Sequence, residues 1–154
     1  MGDFFGSIYS SLFETLYSID LSNYIWGQLS PAQESNLYGI FGWAMALSTL
    51  VIAVVYYFVI DRYSLSHWWC WLIAMVIPAA INIIVGYSVL ANQDNQGMMI
   101  DAKGNSLGFN SFDFLSFGIA DGLVSILWFI ILTLIFKILF KYNLAHSQCS
   151  KSPF

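Results

Sequence analysis

Three stretches of the chain are apolar for long enough to cross a bilayer. The first, YGIFGWAMALSTLVIAVVYYFVI (Tyr38 to Ile60), contains no charge. The second, WWCWLIAMVIPAAINIIVGYSVL (Trp68 to Leu90), is uncharged too, with Pro78 and Asn82 in its middle. The third runs from about Ile119 to Phe140. A hydrocarbon core of ~30 Å takes about 20 residues at 1.5 Å each, and all three satisfy that. Lipid offers no partner to backbone N–H and C=O groups, so each span is expected to be a helix. None of the runs alternates apolar with polar, as the strands of a membrane barrel do.

The N-terminal stretch has a different rhythm. In DFFGSIYSSLFETLYSIDL, residues Phe5, Ile8, Tyr9, Leu12, Phe13, Leu16 and Ile19 recur at helical spacing, with Ser7, Ser10, Glu14 and Ser18 mostly opposite. That pattern predicts an amphipathic helix within residues 1–30, too polar on one face to cross alone and suited to lie in the interface. Interfacial helices are usually rich in Lys and Arg, and this one has neither. Ser30-Pro31 in the following turn reads as a helix start. Between the second and third spans, MMIDAKGNSLGF (Met98 to Phe109) reads as a small hairpin turning at Lys103-Gly104-Asn105. The expected architecture is an all-α integral membrane protein: an interfacial helix over residues 1–30, then a three-helix transmembrane domain over residues 31–154 with a short basic tail.

Composition agrees with the pattern. The chain is 58% hydrophobic and only 9% charged, against roughly 25% charged in soluble domains. A surface of that kind cannot face water all round. Five basic residues in total cannot build a phosphate-binding stripe, which argues against nucleic acid as a partner. Asp3 stands where a signal peptide would carry Lys or Arg, so no cleaved signal is expected. Gly6 occupies the position where a myristoylation motif needs Ser or Thr.

The placement of charge gives an orientation. Arg62 lies between the first two spans, and Lys137, Lys141 and Lys151 lie at or beyond the end of the third. Residues 1–37 hold Asp3, Glu14, Asp20 and Glu34 and no basic residue. The loop from Ala91 to Asp113 has three acids, Asp94, Asp101 and Asp113, against Lys103. The positive-inside rule then predicts the N-terminus outside and the C-terminus in the cytoplasm, as in a bacterial inner membrane. Both cysteines, Cys70 and Cys149, fall on the reducing side as free thiols. Aromatic residues mark the same boundaries. Trp68, Trp69 and Trp71, with Tyr56, Tyr57 and Tyr63, are expected at the inner interface, and Trp26 and Trp43 at the outer one. Phe5, Ile8, Leu12 and Leu16 are expected on the membrane face of the N-terminal helix.

Few residues carry candidate chemistry. Asp121 sits inside the third apolar run, and intramembrane ionisable groups often mark ion or proton paths. It precedes Lys137 by 16 positions, which is ~24 Å of helix, close to the hydrocarbon thickness. On that register Asp121 is a boundary residue at the outer edge of the bilayer and Lys137 snorkels at the inner edge. Gly118 and Gly122 flank Asp121 as a small-xxx-small pair, and Gly42 with Ala46 forms another; such pairs let helices approach closely. Pro78 cannot donate to the Ala74 carbonyl, so a kink is expected there. Asn82 needs an interhelical hydrogen bond or a polar path.

His67 and His146 have no ligand pattern around them that suits zinc. NQDNQG (Asn92 to Gly97) resembles a calcium loop, but its twelfth position is Lys103 rather than Glu. No cofactor, metal site or catalytic group is expected. These features lead to a non-catalytic membrane subunit that associates with copies of itself or with other membrane proteins. The alternative is a ring-forming channel or pore, including a membrane-disrupting effector, with Asp121 and Asn82 along the path.

Overall fold

The computed structural model describes residues 2–13, 15–30, 36–60, 68–101 and 103–143. Among them the chain is all-helical: α1 (Gly2–Phe13), α2 (Ile19–Ile25), α3 (Leu37–Val55), α4 (Trp68–Asn95) and α5 (Ser111–Asn143). A π-helical turn, Tyr56–Ile60, continues α3. Three of these helices are long and apolar enough to cross a membrane, over Leu37–Phe58, Trp69–Asn95 and Ser111–Ile138.

Local chemistry sets the helix ends. Ser18 caps α2 by accepting from the Leu21 N–H, and Asn36 caps α3 by accepting from the Tyr38 N–H at 2.9 Å. The α3 start thus belongs to Asn36 and Leu37; the Ser30-Pro31 start expected from the sequence falls partly outside the described residues. At the start of α5 the Asp113 carboxylate accepts from the Asn110 N–H at 3.0 Å, the return half of a capping box with the shorter acid in place of Glu. Gly27 and Gly97 end α2 and α4 with φ of 80° and 68°. The next residue donates back in each case, Gln28 to the Asn23 carbonyl and Met98 to the Gln93 carbonyl, each at 3.0 Å. Both ends are Schellman motifs, which need a left-handed residue that glycine adopts without strain.

The three long helices form a bundle with a readable register. Contacts between α4 and α5 run in opposite senses: Gly86 lies against Gly118, Asn82 bonds Ser125, and Trp71 bonds Thr133. Contacts between α3 and α5 advance together, Phe41 on Phe117 and then Thr49 on Ser125. The first and third spans are therefore parallel, and the second is antiparallel to both. α4 passes unbroken through Pro78.

At ~1.5 Å per residue, α4 and α5 are about 42 and 50 Å long, well beyond the ~30 Å hydrocarbon core. The N-terminal segment packs around the start of α3, against the last turns of α4 and the first turns of α5. Leu21, Tyr24 and Ile25 share one core with Leu90, Met99 and Phe114. Tyr24 donates to Gln93 at 3.1 Å, and Ser30 donates to the Met98 carbonyl at 2.8 Å. A second core at the opposite end joins Ala53, Tyr56, Tyr57, Trp71, Ala74, Phe129 and Leu132.

The single helix expected over the N-terminal stretch is two short helices, interrupted after Phe13 and resumed at Ile19. The expected loop hairpin contracts to one antiparallel bridge, Ile100 to Ser106, and no strand forms among the described residues. Asp101 shapes the turn between them. Its carboxylate accepts from the Lys103 N–H at 2.7 Å and the Asn105 N–H at 2.9 Å.

Candidate functional site

Asp121 lies on α5 where α1 reaches the bundle, and Tyr9 of α1 donates its phenolic hydrogen to the Asp121 carboxyl. Asp121 is 1% exposed and Tyr9 is fully buried. A buried polar group without a partner costs several kcal/mol of transfer free energy, so the pair binds α1 to α5 at a defined place. Aromatic rings close around it. Tyr9 stacks on Phe117 at 5.9 Å and meets Tyr38 at 5.4 Å, while Phe41 and Tyr17 cover Phe117 from other sides. Tyr38 shares hydrogen bonds with Tyr17 at 3.0 Å and Ser22 at 3.1 Å. Burial, and next the nearby Asp121, holds the Tyr9 phenol far above its usual range.

The Asp121 carboxyl is therefore a buried group at a helix contact, covered by α1. A count of residues to Lys137 measures depth along α5 and carries no information about what packs beside it. The lateral contact comes from α1, which shields the carboxyl from water and lipid alike.

One turn further along α5 is a second polar layer. Ser125 and Thr49 share a hydrogen bond at 3.0 Å, and Asn82 donates to Ser125 at 3.2 Å. The other amide hydrogen of Asn82 goes to the Pro78 carbonyl at 2.8 Å, and Ser48 donates to its amide oxygen at 3.2 Å. Asn82 is 1% exposed and joins all three spans. A third layer pairs the Trp71 indole N–H with Thr133 at 3.4 Å, and Thr133 donates to the Phe129 carbonyl. Phe129, fully buried, separates the second and third layers.

The glycines explain how the helices come close enough. A Cβ on Gly118 would lie 2.7 Å from the Ile83 carbonyl oxygen, and one on Gly122 would lie 2.6 Å from the Ile83 side chain and 3.1 Å from the Ala79 carbonyl. Gly86 faces the Gly118 backbone, with a Cβ there 3.2 Å from the Gly118 Cα. Gly42 is the seat of the Phe5 ring from α1, and Gly6 is the seat of Trp26. The small-residue positions Gly118, Gly122 and Gly42 all serve contacts inside one copy of the chain.

The residues expected at the interface divide into two groups. Leu12, Leu16 and Trp69 are exposed, as is Trp43. Phe5 and Ile8 instead pack against the core beside Tyr9. Trp71, Tyr56 and Tyr57 are buried in the opposite core rather than displayed to lipid. Lys137 is half-buried on α5. The side chains of Trp68 and Lys141 lie outside the described residues, as do Tyr63, His67, His146 and Cys149.

Tyr9, Thr49, Ser48, Ser125 and Thr133 escaped the sequence reading. A signal existed for one of them: Ser125 follows Asp121 by 4 positions, one turn along nearly the same helical face. Chemically, the arrangement offers hydroxyls, one amide and one carboxyl, each engaged across helices. Among the described residues, no group of three or more His, Cys, Asp or Glu side chains converges. In comparisons with known proteins, no protein-family model, curated protein or solved structure matches the chain.

Proposed function

We propose that the protein is a non-catalytic membrane subunit, a helical anchor that associates with copies of itself or with other membrane proteins. The observation that carries this reading is the internal use of Asp121 and Asn82. Both are buried and hydrogen-bonded within one copy, so the polar groups a pore would need at its lumen serve to hold helices together. What a neighbouring chain would meet on α3 is an apolar stripe, with Ile40, Trp43, Leu47, Val51 and Phe58 exposed. The orientation in this proposal has the N-terminus outside and the C-terminus in the cytoplasm of a bacterial inner membrane, and it rests on the basic residues at and beyond the end of the third span.

The mass of the detergent-extracted protein from its native membrane tests the proposal. A discrete assembly larger than one chain is expected, and a uniform monomer would remove the subunit reading. Liposome flux provides the second arm. Wild type and the variants Asp121→Asn and Asn82→Leu should all be equally silent, whereas conduction by wild type that either substitution alters would put the pore reading in its place.

A further inference from the structure

Helices α4 and α5 share an open groove of about 540 Å³, walled by Ile83, Ile84 and Tyr87 on one side and Ser111, Phe112 and Leu115 on the other. A concave site of roughly 300–1,000 Å³ with mainly apolar walls and a few polar groups is the usual form of a small-molecule site. Ile83 also packs where Gly118 and Gly122 leave space on α5. The close glycine contact and the groove are thus adjacent.

The groove straddles the polar–apolar boundary of both helices. α4 is apolar up to Leu90 and polar from Asn92, while α5 opens on Ser111 and Asp113 and is mainly apolar from Phe114. The Tyr87 backbone lies beside Gly118. Ser111 precedes Gly118 by seven residues, ~10 Å of helix towards the polar end. Because α4 runs antiparallel to α5, Ile83 and Ile84 stand about one turn deeper than Tyr87. From outside to inside, the wall therefore offers a serine hydroxyl, a phenol and then hydrocarbon alone.

Neither the Tyr87 nor the Ser111 hydroxyl has a hydrogen-bond partner among the described residues, and no charged side chain lines the groove. A second copy docking through its exposed apolar stripe, such as Ile40, Trp43 and Leu47, would cover both hydroxyls without pairing them. A lipid would pair them, because its ester and phosphate oxygens accept hydrogen bonds at the depth where its chains begin. We propose that the groove is a glycerophospholipid site: one acyl chain lies along Ile83 and Ile84, an ester carbonyl accepts from Tyr87, and the headgroup end meets Ser111. With no charge in its walls, the site recognises the ester and the chain and does not select the headgroup. It rests on the spans lying in a bilayer, as in the proposed function.

Lipid retention by the full-length protein tests the site. Protein reconstituted in dioleoylphosphatidylcholine is re-extracted in mild detergent and weighed by native mass spectrometry. Wild type should keep a single phospholipid per chain. Ile84 and Leu115 are exposed, so Ile84→Trp and Leu115→Trp fill the groove from opposite walls without touching the core, and each should abolish retention. Tyr87→Phe should lower it by roughly two- to tenfold, as the loss of one hydrogen bond does. Dioleoylphosphatidylglycerol should be retained equally well. In the bilayer, a phosphatidylcholine with a diazirine on its chain should label residues 81–90 and 111–118 in wild type, and both tryptophan variants should lose that label while keeping the label on α3. No retained lipid, retention indifferent to both tryptophan variants, or retention of phosphatidylglycerol alone would each overturn the site. A labelled α3 beside an unlabelled groove would remove the lipid site alone, whereas label on neither would remove the spanning reading together with it.

Discussion

Tyr9 and Asp121 stand 112 positions apart in the chain and share a buried hydrogen bond. One lies on the short helix α1, the other on α5, which is long and apolar enough to cross a membrane. The contact joins α1 to α5 and gives α1 a fixed seat.

A double-mutant cycle should measure this contact. Tyr9→Phe and Asp121→Leu each remove one partner and leave the other buried alone. Each single change should destabilise the protein by about 1–3 kcal/mol, and the pair together by less than the sum. Steric trapping in bicelles reads both. Fully additive losses would mean that the two side chains do not interact.

The glycine contacts predict a ranking. Gly118→Ala puts a methyl group against the Ile83 backbone oxygen, which cannot rotate away, so α4 and α5 must separate. A cost of about 1–3 kcal/mol is expected from overpacking. Gly42→Ala meets the Phe5 side chain instead. It should loosen α1 while leaving the α3–α5 bundle folded, seen as faster amide exchange confined to residues 2–13. Equal exchange in α5 after Gly42→Ala would contradict this division.

The middle polar layer should behave as one unit. Ser125→Ala removes a partner of both Thr49 and Asn82, and Asn82→Leu removes the donor to Ser125 and the partner of Ser48. Each should cost on the order of 1 kcal/mol, as interhelical hydrogen bonds in membranes do. The double variant should fall short of the sum of the two in thermal unfolding, since the bonds share atoms.

Acid should act on the loop through Asp101. The Asn105 and Lys103 backbone N–H groups hold the Asp101 carboxyl below its usual range. A carboxyl lowered in the folded state stabilises above its unfolded value of about 3.9, and that contribution is lost as pH falls through the lower folded value. Carboxyl-carbon NMR should place the Asp101 midpoint below 3.9, and Asp101→Asn should abolish the acid-induced change at residues 103–106. At the alkaline end the sign reverses. Burial, and then Asp94, pushes the Tyr24 phenol up to about 12, so its contribution is intact below its ordinary value near 10 and fades as pH rises towards 12. Ultraviolet titration of wild type against Tyr24→Phe isolates that phenol.

The spans were readable because their signal is one of composition and length. Tyr38 to Ile60 without a charge has one solution in lipid, and α3 with its π-helical turn covers it. Their ends were less readable. α4 and α5 run on through polar residues such as Gln93 and Asp113, since those turns are held by packing against α2 and by caps rather than by hydropathy. The N-terminal stretch misled in a different way. Its apolar residues suggested one continuous face, yet Phe5 and Tyr9 turn to the bundle while Phe4 and Leu12 turn away. Periodicity shows that a helix has a preferred side and does not show what will cover each part of it.

By itself, then, the sequence determined a helical protein with three apolar spans, because lipid leaves a backbone no alternative once about 20 residues lack charge. Only the tertiary structure decided that Asp121 is covered by Tyr9, that Asn82 joins three helices, and that Gly118 and Gly122 face α4. Those relationships depend on which helix lies beside which and at what rotation. Such choices arise from side-chain fit between segments distant in the chain, which no pattern along a single segment encodes.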